Sequence, residues 1–276
     1  MSRLGEHRIG FIGAGAMAEA LIGGLLASGA RADQICAVDP DPERREFIAA
    51  RHGVRALAEA AEAARASDVL FLAVKPAVVG PALQALAGEP DLARPLWISI
   101  AAGVSLRALA GNLPSQARIV RAMPNTPARV GAAATAICAN PQASPEDVAL
   151  ALELFESVGT CWAAPSEASM DAVTGLSGSG PAYVFVFLEA LGDAGVRMGL
   201  PPEAAHQLAA QTVLGAARLA IEEGVPPAVL RDQVSSPGGT TVAGLERLEA
   251  AGLRAAVDAA VEAATRRAHE LGGDEP

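Results

Sequence analysis

Through the first half of the chain, short continuous apolar runs alternate with alanine-rich stretches of helical character. The runs are residues 8–12 (RIGFI), 35–39 (ICAVD), 68–74 (DVLFLAV), 95–101 (PLWISIA) and 118–122 (RIVRA). Runs that are mostly apolar without strict alternation predict strands buried on both faces, as in a parallel sheet with helices on each side. Residues 132–138 and 160–163 predict two further strands at the sheet edge, with a helix over about 145–157 between them. After Pro165 the strand pattern stops. Long helical patterns over residues 181–198, 202–223 and 253–271 then predict an all-α domain. The expected fold is α/β, a doubly wound, mostly parallel sheet over residues 1–163 followed by an all-α domain over residues 164–276.

The first run enters Gly13-Ala14-Gly15 and then a helical stretch with Ala18, Leu21, Ile22 and Leu25. Strand, G-x-G-x-x-A and helix in this order make the dinucleotide fingerprint of a Rossmann-type domain. Gly13 permits the tight turn, Gly15 lets a pyrophosphate approach the backbone, and Ala18 keeps helix and strand close. The second run ends in Asp39, near the spacing expected for a carboxylate on the adenine ribose. Asp39 favours NADH, because a carboxylate repels a 2′-phosphate. Arg44 and Arg45 either clamp such a phosphate or lie on a solvated helix face beside Glu43 and Glu46, so the choice between NADPH and NADH stays open.

Residues 230–245 read LRDQVSSPGGTTVAGL. Ser235, Ser236, Thr240 and Thr241 bracket Pro237, Gly238 and Gly239, so hydroxyls and unobstructed N–H groups converge where a helix begins. That arrangement suits a carboxylate, with the positive end of the helix dipole behind it; an ordinary turn and N-cap is the alternative. Residues 173–187 (VTGLSGSGPAYVFVF) interrupt a good helix with Gly175, Gly178 and Gly180. Either the helix kinks there or the glycines form a surface for close approach of a partner chain or a substrate.

With 276 residues the chain can bury two cores, and its net charge of −10 excludes a phosphate-backbone binder of nucleic acid. Cys36, Cys138 and Cys161 lack ligand spacing, and His7, His52, His206 and His269 are isolated, so no metal site is expected. No apolar run reaches the ~18 residues of a membrane span and no signal peptide is evident, which predicts a cytoplasmic protein without membrane contact.

Taken together, the fingerprint, the AVKP strand end, the RAMPNTPA turn, VTGLSGSGPAY and SSPGGTT resemble the pyrroline-5-carboxylate reductase family, in order and over almost the entire length. The resemblance implies hydride transfer from NADPH or NADH to the cyclic imine carbon of 1-pyrroline-5-carboxylate, giving L-proline. It implies cofactor contacts from Ile12, Gly13, Ala14, Gly15, Ala16 and Met17, from Asp39, from Ala73, Val74, Lys75 and Pro76, from Ala101, Ala102 and Gly103, and from Gln233. Substrate contacts are implied for Glu167, Ser236, Gly239, Thr240 and Thr241, with the Thr241 hydroxyl as the catalytic group on the ring nitrogen. Two departures stand out. Asp39 replaces a small polar residue usual in the family, and Ala60 stands where some relatives carry an asparagine against the adenosine half.

The resemblance also implies a homodimer at least, or a ring of such dimers (a decamer), formed through the helical domain. Lys75 is the single lysine and lies in the first domain. A hydroxyacid dehydrogenase, which needs a lysine on a helix of its second domain, is thereby excluded. A non-catalytic dinucleotide sensor and a reductase of a related cyclic imine carboxylate are the alternatives.

Overall fold

The computed structural model describes residues 4–273. Eight strands form one sheet: β1 (Ile9–Ile12), β2 (Ile35–Val38), β3 (Arg55–Leu57), β4 (Val69–Leu72), β5 (Leu96–Ser99), β6 (Arg118–Met123), β7 (Ala133–Ala139) and β8 (Gly159–Ala163). Their order is β3-β2-β1-β4-β5-β6-β7-β8. Every neighbouring pair is parallel except β6 with β7. The helices of this part are α1 (Ala16–Ala27), α2 (Pro42–His52), α3 (Ala60–Ala66), α4 (Pro76–Gln84), α5 (Leu106–Ala110), α6 (Pro145–Glu156) and α7 (Met170–Val173). Beyond them lie α8 (Gly180–Arg197), α9 (Pro202–Glu223), α10 (Pro227–Gln233), α11 (Thr240–Ala250) and α12 (Leu253–Gly272).

All four residues of β1, β2, β4 and β5 are buried, because successive side chains enter opposite cores. On one face Phe11 and Phe71, partners in register, stack at 4.6 Å, and Phe155 of α6 meets Phe71 edge-on at 5.8 Å. Leu21, Ile22 and Leu25 of α1 complete that layer. Leu70, Leu72, Trp97 and Ile119 fill the other face against α3 and α4, with the Trp97 indole N–H donating to the Leu92 carbonyl at 2.8 Å. This double burial explains why the strands read as continuous apolar runs.

Three features differ from the sequence expectation or were not part of it. β7 is not an edge strand, since it lies between β6 and β8, and β8 alone forms that edge. The nine residues from β6 to β7 are too few for a parallel crossover, so the chain turns back antiparallel; α6 then bridges β7 to a parallel β8. β3 escaped notice because its three residues are half-exposed at the opposite edge and carry no apolar run. Residues Thr174–Gly178 form one π-helical turn between α7 and α8, which accounts for the glycine-rich break. There a Cβ on residue 178 would lie 2.6 Å from the Met123 methyl, so this glycine serves close packing.

The strands end at Ala163, yet the first compact unit runs on to Ser179 and takes in the residues from Ala263 onward; the second unit is Gly180–Glu262. The end of α12 is anchored in the first unit, where His269 Nδ1 lies 3.2 Å from Asp171 Oδ2 and Leu271 packs on Gly103. In the second unit α8 and α9 pair through Gly192 and Gly195, whose missing side chains make room for His206 and Ala205. That unit buries little else: Gly192, Ala205 and Ala209 are its buried residues, while Phe185, Leu214 and Ile221 are 60%, 59% and 79% exposed.

Asp68 ties the start of β4 to the residue before β1. Its carboxylate accepts from the Arg8 backbone N–H at 3.0 Å and the Arg8 guanidinium at 2.7 Å, with Arg94 at 3.1 Å. These partners hold the Asp68 carboxyl down at about 2, below its ordinary 3.8. A depressed folded-state value means the stabilisation is present above about pH 4 and is lost as the pH falls toward 2. Asp68 is about a third exposed, so the full shift is discounted for solvent. Asp68→Asn is expected to cost about 1 kcal/mol at pH 7 and close to nothing at pH 2, read from urea midpoints at both pH values.

Candidate functional site

In a doubly wound sheet, ligands bind beyond the carboxyl ends of the strands where the chain order reverses. Here that point lies between β1 and β4. Four groups of expected cofactor residues meet along this edge: Ile12–Met17 after β1, Asp39 after β2, Ala73–Pro76 after β4 and Ala101–Gly103 after β5. Ile12 ends β1 and is buried, so it supports the loop from below.

Gly13 has φ +97°, and a Cβ there would lie 2.6 Å from the Ala73 carbonyl oxygen. Its N–H donates to the Val38 carbonyl at 2.8 Å, which holds the turn against β2. Gly15 is the N-cap of α1, with no side-chain cap and open space where a Cβ would stand. The first N–H groups of a twelve-residue helix are thus directed at an unobstructed surface, the chemistry that suits a pyrophosphate. Lys75 occupies the N-cap of α4 without a side-chain cap bond.

Asp39 is held in place. Its Oδ2 accepts from the Ala14 N–H and its Oδ1 from the Asp41 N–H, both at 3.0 Å. Arg44 lies on neither a solvated face nor an open phosphate clamp: its guanidinium donates to the Ala14 carbonyl and pairs with Glu19 at 2.7 Å. Arg45 donates to the Asp39 and Pro40 carbonyls at 2.8 and 2.9 Å. Both arginines therefore brace the fingerprint loop and the residues after β2. Glu19 was missed in the sequence; an acidic residue in the first turn after the fingerprint is its one signal.

Glu167 belongs to the first unit. Its Oε1 accepts from the Leu106 N–H at the start of α5 at 2.8 Å and from Arg121 at 2.7 Å, leaving Oε2 for another partner. Arg121 is 8% exposed and lies 3.7 Å from Asp171, the residue that also meets His269. Arg121 and Asp171 carry no local motif, and separations of 46 and 50 residues hide the cluster from sequence reading. Asn125, 8% exposed, donates to the Ser177 carbonyl and accepts from the Ala134 N–H, both at 3.0 Å, so it locks the π-helical turn to the sheet.

The hydroxyl-rich loop lies in the second unit. α10 ends at Gln233, which is exposed. The Ser235 hydroxyl then turns back to the Arg231 carbonyl at 2.6 Å, so it is spent on the turn. Gly238 has φ +69°, and a Cβ on Gly239 would lie 2.3 Å from Ser236 Oγ. Gly239 is the N-cap of α11 without a side-chain cap, and Thr240 and Thr241 open that helix. The uncapped amides stand beside the hydroxyls of Ser236, Thr240 and Thr241, donors of a kind that suits a carboxylate.

Burial raises all three thiols, Cys161 to about 12, which removes them as nucleophiles. Among the described residues, no cluster of three His, Cys, Asp or Glu is placed to hold a metal, and no helix is long and apolar enough to cross a membrane.

Comparison with known proteins adds two family matches, pyrroline-5-carboxylate reductase dimerisation over residues 167–271 and NADP oxidoreductase, coenzyme F420-dependent, over residues 8–103. Pyrroline-5-carboxylate reductases of Synechocystis and Arabidopsis thaliana are 49% and 46% identical, each match covering 96% of this chain and 98% and 96% of those proteins. The structure of the Coxiella burnetii pyrroline-5-carboxylate reductase superposes with a TM-score of 0.92 at 38% identity, covering 96% of this chain and 98% of that one. The Plasmodium falciparum enzyme, solved with NADP bound, gives 0.86 at 32%, covering 97% and 99%.

Gly13→Ala places a methyl against the Ala73 carbonyl in a backbone conformation that alanine avoids. Dinucleotide affinity is expected to fall about tenfold or more, roughly 1.4 kcal/mol, in a fluorescence titration, with far-UV circular dichroism unchanged. Parent-like affinity would mean that the loop is not the pyrophosphate cradle.

Proposed function

The chain belongs to the pyrroline-5-carboxylate reductase family, and on that premise we propose that it reduces 1-pyrroline-5-carboxylate to L-proline, the last step of proline biosynthesis. The observation that carries the reading is the presence in one chain of two uncapped helix starts of different chemistry: a glycine loop at the sheet's switch point and a hydroxyl-rich loop at α11. When bound, a reduced nicotinamide dinucleotide supplies the hydride.

In this reading Gly13–Met17 hold the pyrophosphate, Asp39 faces the adenine ribose, Ala73–Pro76 and Ala101–Gly103 flank the dinucleotide, and Gln233 faces the nicotinamide. Residues 164–276 supply substrate binding and dimerisation. The amides of Gly239–Thr241 and the Ser236 hydroxyl bind the substrate carboxylate, and Glu167 lines the substrate through Oε2. The Thr241 hydroxyl meets the ring nitrogen, where it accepts from the iminium and donates to the product amine. A neutral hydroxyl suits this position, since a cation would oppose iminium formation. Face-to-face positioning of the two reactants then carries most of the rate enhancement, an effect worth up to about 7–11 kcal/mol in favourable cases.

The assembly proposed is a homodimer at least, with a ring of dimers as its larger form. Its support is the second unit, whose broad apolar exposure leaves it without a core of its own. A cytoplasmic location is proposed from the three free cysteines, which fit a reducing compartment.

Purified protein is expected to oxidise NADH or NADPH on addition of 1-pyrroline-5-carboxylate; oxidation of neither would overturn the reading. Thr241→Ala should lower kcat/KM roughly 10- to 100-fold, the loss of a hydrogen bond worth about 1–3 kcal/mol, while Thr241→Ser stays near the parent. Equal activity of both variants and the parent would remove the hydroxyl from the mechanism.

Asp39 makes NADH at least competitive with NADPH, because its carboxylate occupies the end of β2 and Arg44 is already engaged. Asp39→Ser is expected to raise the NADPH-to-NADH ratio of kcat/KM by removing the repulsion of a 2′-phosphate. An unchanged ratio would show that the residue faces elsewhere in the complex.

A further inference from the structure

A recess in the first unit runs along α1 from its first turn, beside the fingerprint loop. α1 buries Ala18, Leu21, Ile22 and Leu25 in the core. Another of its faces carries Ala16, Ala20, Gly23 and Ala27, spaced four, three and four apart, and these small residues form the floor of a groove of about 420 Å³. The C-terminal end of α2 and the turn at Thr126–Val130 wall it, with Ser157 and Val158 closing one end. A cavity of this size is in the range that holds a small molecule.

The polar groups of the walls are specific in kind. Arg51, His52, Arg129 and Glu19 line the groove in a protein whose net charge is −10. Glu19 is already spent, paired with Arg44 at 2.7 Å and with Arg51 at 3.2 Å. Arg129 makes no hydrogen bond or ion pair among the described residues. Nε2 of His52 is buried without a partner, and burial lowers the imidazole's affinity for a proton. His52 packs over Gly23, where a Cβ would lie at an ordinary contact distance of 3.6 Å from its Cε1. The remaining lining, Ala20, Ala27, Val130 and Val158, is apolar.

We propose that this groove binds a small molecule with a single oxyanion head, a carboxylate or a phosphate, and a short apolar body. Arg129 and Arg51 take the head, and the alanine and valine lining takes the body. The groove shares no residue with the hydroxyl-rich loop at Ser236–Thr241.

The test uses thermal unfolding of the full-length protein at constant ionic strength, with sodium butanoate or inorganic phosphate replacing chloride. A ligand that binds only the folded state raises the Tm in a saturating manner. The expected result is such a rise with butanoate if the head site selects carboxylates, or with phosphate if it selects phosphates. In Arg129→Ala the apparent Kd should increase about fivefold or more, as the loss of a charged partner implies, and Gly23→Leu, which fills the floor, should abolish the rise. Ser236→Ala should retain it. Arg129 is exposed, so its variant reports even if Gly23→Leu does not fold, and its reductase activity without added anion should match the parent. The proposal is overturned if neither anion gives a saturating rise beyond chloride, if Arg129→Ala responds like the parent, or if Ser236→Ala alone removes the response.

Discussion

A backbone contact that no side chain can share governs the first unit. The Ala73 carbonyl stands 2.6 Å from where a Cβ on residue 13 would be. With glycine there, the loops after β1 and β4 meet at the reversal of strand order, while Ala73 N–H donates to Ile12 O and Gly13 N–H to Val38 O. β1, β2 and β4 therefore terminate together, and Gly15 and the uncapped start of α1 stand over that junction. The rest of the sheet needs only apolar side chains of suitable volume; this junction needs a particular residue.

Charge is used sparingly and to brace loops. Asp39, Arg44, Arg45 and Glu19 form a clasp around Ala14 and the segment after β2, engaging both the N–H and the carbonyl of Ala14. Such a clasp preorganises the loop and commits Arg44 before any ligand arrives. Farther along the sheet, buried Arg121 gathers Glu167 and Asp171, and Asp171 gathers His269, so the segment after β8 and the end of α12 are fastened to β6. A guanidinium that is nine-tenths buried requires such partners, since its charge cannot be left unpaired.

The second unit follows a different logic. Its helices pair where Gly192 and Gly195 admit His206 and Ala205, but little else is covered. A bundle with so little buried surface cannot offset its own ordering entropy. The apolar faces of α8 and α9 are consistent with a fold completed by association, which agrees with the dimerisation family matched over residues 167–271.

Local physics made much of this legible in the sequence. Strands buried on both faces carry few polar side chains, so residues 9–12, 35–38, 69–72 and 96–99 announced themselves. The fingerprint glycines and the SSPGGTT loop were legible because a close backbone approach and an uncapped helix start restrict the residue types at each position. β3 was not legible, since a half-exposed edge strand of three residues has no pattern to show. The antiparallel turn from β6 to β7 depends on connection length, which apolar runs alone do not report. Only the tertiary structure decided what the charged residues do. Arg44 reads from the sequence as a phosphate clamp or as solvated surface, and it became a brace for Ala14 because folding brings α2 to the fingerprint loop thirty residues away. Arg121 met Glu167 and Asp171 for the same reason: a charge finds its partner through the path of the chain, and that path is set by burial of the apolar residues, not by the charges.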